Sequence, residues 1–172
     1  MRFLRLLLPL LAVSAALAAP SLRTVEHVDL NRYMGRWYVI AHVPNFLEKN
    51  KVGTSATYRL LPDGRIEDVF SFHKATLESP EKSWHGIGRV FDKNTNAVWK
   101  LRMLWPIPGT YRILELAPDY TWAVTSNESG KLFWVVSRSP TLPDETYSTI
   151  VNRLLLRGLD ISKLEKVPQA SP

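Results

Sequence analysis

From Gly35 to Arg138 the chain repeats one pattern: a short stretch of alternating apolar and polar residues, then a cluster of turn-forming ones. The strand-like stretches are residues 37–43, 54–61, 65–73, 84–91, 97–104, 111–117, 121–125 and 132–138. Between them lie "PDG" at 62–64, "DKNTN" at 92–96, "PIPG" at 106–109, "PDY" at 118–120 and "SNESG" at 126–130. Asn, Asp, Gly and Pro supply the positive or preset φ that tight hairpins need. Eight strands at this spacing predict an all-β antiparallel sandwich or barrel. Joined neighbour to neighbour, they can close into an up-and-down barrel, which removes both exposed sheet edges.

Period-two parity assigns the inward face. Trp37, Val39, Ala41 and Val43 share one face of the first strand. Trp99, Leu101 and Met103 share one face of the fifth, with Lys100 and Arg102 on the other. Trp134, Val136 and Arg138 share a face of the eighth. Ala56, Tyr58, Phe70, Val90, Tyr111 and Ile113 complete the expected inward set, while Asp68, between Ile66 and Phe70, makes the third strand ambiguous. An eight-stranded barrel either fills itself or holds one small ligand. The small Ala41 and Ala56 among bulky aromatics favour a cavity.

Two connections are longer than a hairpin needs, at 44–53 and 74–83. The first, "PNFLEKNKVG", carries Phe46 and Leu47 beside Lys49 and Lys51 and is too apolar to be merely solvated, so a lid over the barrel mouth is expected. After the strands, Tyr147, Ile150, Val151, Leu154 and Leu155 follow the spacing of one apolar helix face. Pro143 suits the first helical position, and Gly158 suits the residue past the end. This helix packs outside the barrel. Near the start, Asp29 is placed to cap a helical turn that Gly35 ends, a stopper for one end. The tail "PQASP" reads as frayed.

Composition adds a compartment and removes several chemistries. "MRFLR" is basic, residues 6–18 are apolar and Ala16-Leu17-Ala18 fits a small-residue cleavage rule, so residues 1–18 read as a cleaved export signal and 19–172 as one mature domain. The apolar run is shorter than the ~20 residues a spanning helix needs, although an uncleaved anchor is the alternative. Cysteine is absent, which excludes disulfides, a thiol nucleophile and a lipid-modified cysteine; a soluble periplasmic or secreted protein is expected. The formal charge is +6, and Arg2 and Arg5 of that excess fall in the leader. No basic run of a nucleic-acid binder is present, so an anionic ligand or a lipid surface is the mildly favoured partner. The histidines His27, His42, His73 and His85 lack metal-ligand spacing, and no cofactor motif occurs; Gly86-Ile87-Gly88 lies inside a strand and reads as a close-packing position.

Gly35-x-Trp37, Asp119-Tyr120 before the seventh strand, Ser137-Arg138 and the following helix, in that order, resemble the lipocalin family. "VDLNRYMGRWYVIAHVP", "ATYRLLPDGRI" and "LFWVVSRSPTLPDE" are similar to its bacterial, apolipoprotein D-type (Blc) members. The resemblance implies Trp37 inside a closed base with the Arg138 guanidinium stacked on it. It implies an extracytoplasmic carrier of a fatty acid or lysophospholipid that serves membrane maintenance. Lys49, Lys51, Lys74 and Lys82 are then candidates to meet an anionic head. Many such relatives carry an anchoring cysteine that this chain lacks, and some pair into homodimers, which stays open here. Two alternatives remain: a pigment, retinoid or haem-like cargo stacked on aromatic side chains, and a lipocalin-type enzyme using Asp68 with His42 or His85.

Overall fold

Each strand pairs antiparallel with its neighbour in sequence, and the last of the series returns to the first. The computed structural model describes residues 20–104 and 107–170, and the leader expected at 1–18 lies outside them. A turn of helix α1 (Leu30–Tyr33) precedes β1 (Gly35–His42), β2 (Lys51–Leu60), β3 (Arg65–Lys74), β4 (Lys82–Val90), β5 (Val98–Leu104), β6 (Ile107–Leu116), β7 (Trp122–Ser126) and β8 (Phe133–Ser137). Helix α2 (Asp144–Leu156) and a two-residue strand β9 (Glu165–Lys166) follow. The strand order is β2-β3-β4-β5-β6-β7-β8-β1-β9, and β1 also pairs with β2, which closes an eight-stranded barrel.

The seam of that closure is split. The first half of β1 pairs with β2, from Gly35 opposite Tyr58 to Tyr38 opposite Ser55. Beyond it β1 and β2 part, and β9 takes over, with Ala41 opposite Lys166 and His42 opposite Glu165. The Val167 amide donates to the Ile40 carbonyl at 2.9 Å and the Gly53 amide to the Pro168 carbonyl at 2.7 Å. The Gln169 amide then donates to the carbonyls of both Val39 (2.8 Å) and Thr54 (3.0 Å). The tail is therefore stitched through Gln169, not frayed. Its two polar ladders satisfy backbone groups that the divergence of β1 and β2 would otherwise leave open.

Two apolar layers hold the molecule. Inside the barrel, Trp37, Ile66, Trp99 and Ile113 are fully buried. Outside it, Ile150 and Leu154 of α2 are fully buried against Ile40, Leu114, Val124 and Val135. At roughly 1.5–3 kcal/mol per buried large aliphatic side chain, these two residues account for most of the docking of α2. The helix face is narrower than the periodicity implies, because Leu155 is 56% exposed. Pro143 is the N-cap and not the first helical residue, while Gly158 takes a left-handed φ of +75° past the C-terminal end.

Gly86 and Gly88 let β4 approach β5. A Cβ on Gly88 would lie 2.2 Å from Leu101 Cδ2 and 2.8 Å from the Lys100 carbonyl oxygen, and one on Gly86 would lie 2.9 Å from Met103 Cα. Both glycines are close-packing positions.

Candidate functional site

One end of the barrel is closed from the sequence upward. The Asp29 carboxylate accepts hydrogen bonds from the Asn31 and Arg32 amides and starts α1. The Asp29 amide donates to the Tyr120 hydroxyl at 2.9 Å, which pins the turn across the barrel end. Gly35, at φ +96°, then swings the chain into β1. Trp37 Nε1 donates back to the Tyr33 carbonyl at 2.8 Å. The Arg138 guanidinium lies 3.8 Å from the Trp37 ring centroid. It donates to the carbonyls of Arg36 (2.9 Å), Arg32 (2.7 Å) and Tyr33 (3.1 Å). One flat cation thus covers an indole and terminates a helical turn.

Above this base sits an aromatic plug with a polar upper surface. Tyr33, Tyr58, Trp99 and Tyr111 contact one another, and the Tyr33 and Tyr111 hydroxyls are 2.8 Å apart. Burial raises all three tyrosine hydroxyls well above the ordinary phenol pKa, so they are neutral donors or acceptors. Asp68 stands beside them on β3, opposite Tyr58 on β2 and Gly86 on β4. It is 2% exposed, and its Oδ1 has no hydrogen-bond partner among the described residues. Burial pushes its carboxyl pKa up to about 7.

From this floor a cavity of about 260 Å³ rises toward the opposite end. Its walls are mainly apolar: Val39, Ala56, Phe70, Leu101, Met103 and Val136, with Trp84, Thr125 and Trp134 higher up. Leu47 and Glu48 of the 43–50 loop form part of its roof. Glu48 is fixed there by three side chains. His42 Nδ1 lies 2.7 Å from Oε2, Asn45 Nδ2 donates to Oε1 at 3.0 Å, and Trp134 Nε1 reaches both oxygens at 3.1 Å. Lys51 holds the other side of the loop by donating to the Leu47 carbonyl at 2.5 Å. Its ammonium lies 4.8 Å from the Phe72 ring and 4.7 Å from the Trp84 ring.

The lipocalin-like domain family matches residues 28–169, most of the chain. The chain is a lipocalin. It is 35% identical over 159 residues to temperature-induced lipocalin-1 of Arabidopsis thaliana, spanning 87% of this chain and 83% of that protein. It is 27% identical over 171 residues to outer membrane lipoprotein Blc of Vibrio cholerae, spanning 98% and 99%. It is 30% identical over 164 residues to apolipoprotein D of Mus musculus, spanning 88% and 82%.

The lipocalin's expected inward residues separate into three places. Val39, Ala56, Tyr58, Phe70, Leu101, Met103, Tyr111, Trp134 and Val136 line the cavity. Val90, Trp99 and Ile113 belong to the interior cluster but not to the cavity wall; Trp99 and Ile113 are fully buried. Ala41 is a correction: it lies outside the barrel, in the layer under α2. The cause is a bulge, since Val39 pairs with Val136 but Ala41 with the adjacent Val135, which leaves Ile40 as an extra residue and reverses the parity. Val43 follows Ala41 outward, and His42 turns inward instead.

The loop residues divide similarly. Leu47 roofs the cavity, Phe46 is 81% exposed and Lys49 is exposed. Sequence reading missed Glu48, Trp84 and Thr125 as wall residues. Trp84 was legible, because it alternates with Gly86 and Gly88 on one face of β4. Glu48 was not, since a single acid in a lysine-rich loop carries no pattern. His85 is exposed, its Nε2 3.3 Å from the Ser83 hydroxyl, and it lies apart from Asp68, which the barrel places at the floor.

Glu48→Ala is expected to loosen this lipocalin's lid. It removes charge-assisted bonds to Asn45 and Trp134 and the partner of His42. Amide hydrogen exchange of residues 45–51 should accelerate by about tenfold or more, while β3 and β5 stay unchanged. Unchanged exchange at the lid would show that Asn45 and Lys51 hold it alone.

Proposed function

We propose that this lipocalin is an exported carrier that holds one long-chain lipid, a fatty acid or a lysophospholipid, with the acyl chain in the barrel. The observation that carries this reading is the apolar cavity of about 260 Å³ above a closed base, roofed by a loop anchored through Glu48. Each methylene transferred from water to such a wall contributes about 0.8 kcal/mol, so a chain of a dozen carbons binds after the entropy of capture is subtracted. A head group then stays at the mouth. Lys51 stands at that rim with its ammonium over Trp84, and Lys49, Lys74 and Lys82 are exposed around the same end. These cations suit a carboxylate or phosphate, while Glu48 is occupied by His42, Asn45 and Trp134.

The basic and apolar leader supports export, and the Vibrio cholerae relative is an outer membrane lipoprotein by name. Phe46, exposed beside the mouth, is placed to touch a lipid surface from which cargo is taken. A role in lipid storage and membrane maintenance follows from that pairing of cavity and rim.

The test is a titration of the purified protein with palmitate and with lysophosphatidylcholine, followed by tryptophan emission. Trp84 and Trp134 line the cavity and should respond, with saturation near one ligand per chain. Ala56→Trp fills the middle of the wall. If it displaces three or four methylenes, affinity falls by about a hundredfold. A flat titration on the folded wild type sinks the carrier reading.

A further inference from the structure

The floor of the cavity is not apolar. Asp68 is one of its lining residues, 2% exposed, and its Oδ1 lacks a hydrogen-bond partner among the described residues. A carboxyl in that position is expensive to leave unmatched, because the desolvation of the acceptor is not compensated. Its neighbours do not supply the match. Tyr33 and Tyr111 are engaged with each other, and Gly86 on the adjoining strand has no side chain. The place of the missing Gly86 Cβ is taken by the β5 backbone, whose Met103 Cα would lie 2.9 Å from it, and so supplies no donor either. The carboxyl therefore borders the cavity at its floor with acceptor capacity free, and a small turn of the side chain presents it to a ligand.

We propose that the cavity floor is a seat for a hydrogen-bond donor, a hydroxyl or an amine, carried on the end of the cargo that enters the barrel first. This rests on the carrier reading and narrows its cargo. A plain acyl chain presents a methyl group to Asp68 and leaves the carboxyl as unmatched as before. A carboxylate driven to the floor places two acids together, so a fatty acid must keep its head at the mouth. An alcohol or an amine at the leading end donates to the carboxyl once its side chain turns toward the cavity, and offsets the penalty. Tyr58 and Tyr111, whose rings adjoin at 5.6 Å between centroids, form the rest of the floor and offer neutral hydroxyls to the same group.

The experiment compares three probes of equal chain length: hexadecan-1-ol, hexadecylamine and hexadecyl methyl ether, with palmitate as a carrier control. At pH 8.5, where the carboxyl is ionised and can only accept, tryptophan emission of the wild type is expected to report the alcohol and the amine binding about tenfold more tightly than the ether. Asp68→Val should bring all three within about threefold of one another without abolishing binding. Asp68→Asn keeps an acceptor but no charge, so it should retain the preference for the alcohol and lose any extra for the amine; it decides the matter if the valine variant does not fold. An ether that matches the alcohol and the amine in the wild type, while palmitate saturates, overturns the donor seat and leaves the carrier reading intact. A donor preference that survives Asp68→Val also overturns it, because the seat then lies elsewhere. Failure of palmitate and all three probes sinks both readings.

Discussion

Arg138→Ala is expected to lower stability by about 2–4 kcal/mol, which for a chain of this size moves the unfolding midpoint by roughly 5–15 °C. The substitution removes three charge-assisted donors, those to Arg32, Tyr33 and Arg36 carbonyls, and a cation–π contact worth ~0.5–2 kcal/mol. It also opens the barrel end, because the guanidinium covers the Trp37 ring and adjoins Gly35, where an added Cβ would lie 3.2 Å from Arg138 Nη1. The estimate stays moderate because the guanidinium is only half-buried. Arg138→Lys keeps the charge but not the planar fork, so it should recover less than half of the loss. Thermal unfolding followed by circular dichroism measures both. Below the transition, lipid affinity should change by no more than about twofold, because the clasp and the mouth are at opposite ends. A loss under 1 kcal/mol for Arg138→Ala would mean that the aromatic plug closes the base unaided.

Asp68 should make the protein less stable at pH 8 than at pH 4 as far as this residue is concerned. Burial raises its pKa from the ordinary 3.8 to about 7 in the folded chain. Below pH 4 the carboxyl is protonated in both folded and unfolded chains, and no penalty applies. As pH rises, the unfolded chain releases the proton first, near 4, while the folded chain holds it until about 7. Stability therefore falls across that window and levels off above it. The ceiling of the effect is about 4 kcal/mol, from roughly three pKa units at about 1.4 kcal/mol each. Asp68→Asn removes the titration, so its advantage over the wild type should grow from near zero at pH 4 to about 2–4 kcal/mol at pH 8. Denaturant unfolding at several pH values gives the difference directly, and parallel pH profiles for the two proteins would refute it.

Strand count, strand order and the outside helix were readable because period-two and period-3.6 patterns are repeated over many residues and punctuated by Pro, Gly, Asn and Asp. The clasp was readable for another reason: Gly35, Trp37 and Arg138 resemble a family pattern in fixed order. What failed was local. Parity is a rule about uninterrupted pairing, so the single extra residue Ile40 sent Ala41 to the wrong face and hid His42, and with it the partner of Glu48. Glu165 and Lys166 form a strand of two residues whose reason for existing is the gap between β1 and β2, a tertiary fact with no sequence period. Asp68 was visible as an anomaly, an acid between Ile66 and Phe70. Its face was undecided because a charged residue is usually solvated, and only closure of the barrel showed that here it is not.

The split seam has a temporal consequence. Ribosomes deliver β1 long before Gln169, yet the Gln169 side chain bridges Val39 and Thr54, 130 and 115 positions upstream. A nascent chain can therefore assemble hairpins as they emerge, but the upper rim stays unzipped until the final stretch is free to dock. Such distant pairing favours slow completion, and it places this step after residue 169 has emerged. Under the export proposed above, that delay is an advantage to a chain crossing a membrane unfolded: the barrel withholds this stitch until residue 169 has arrived.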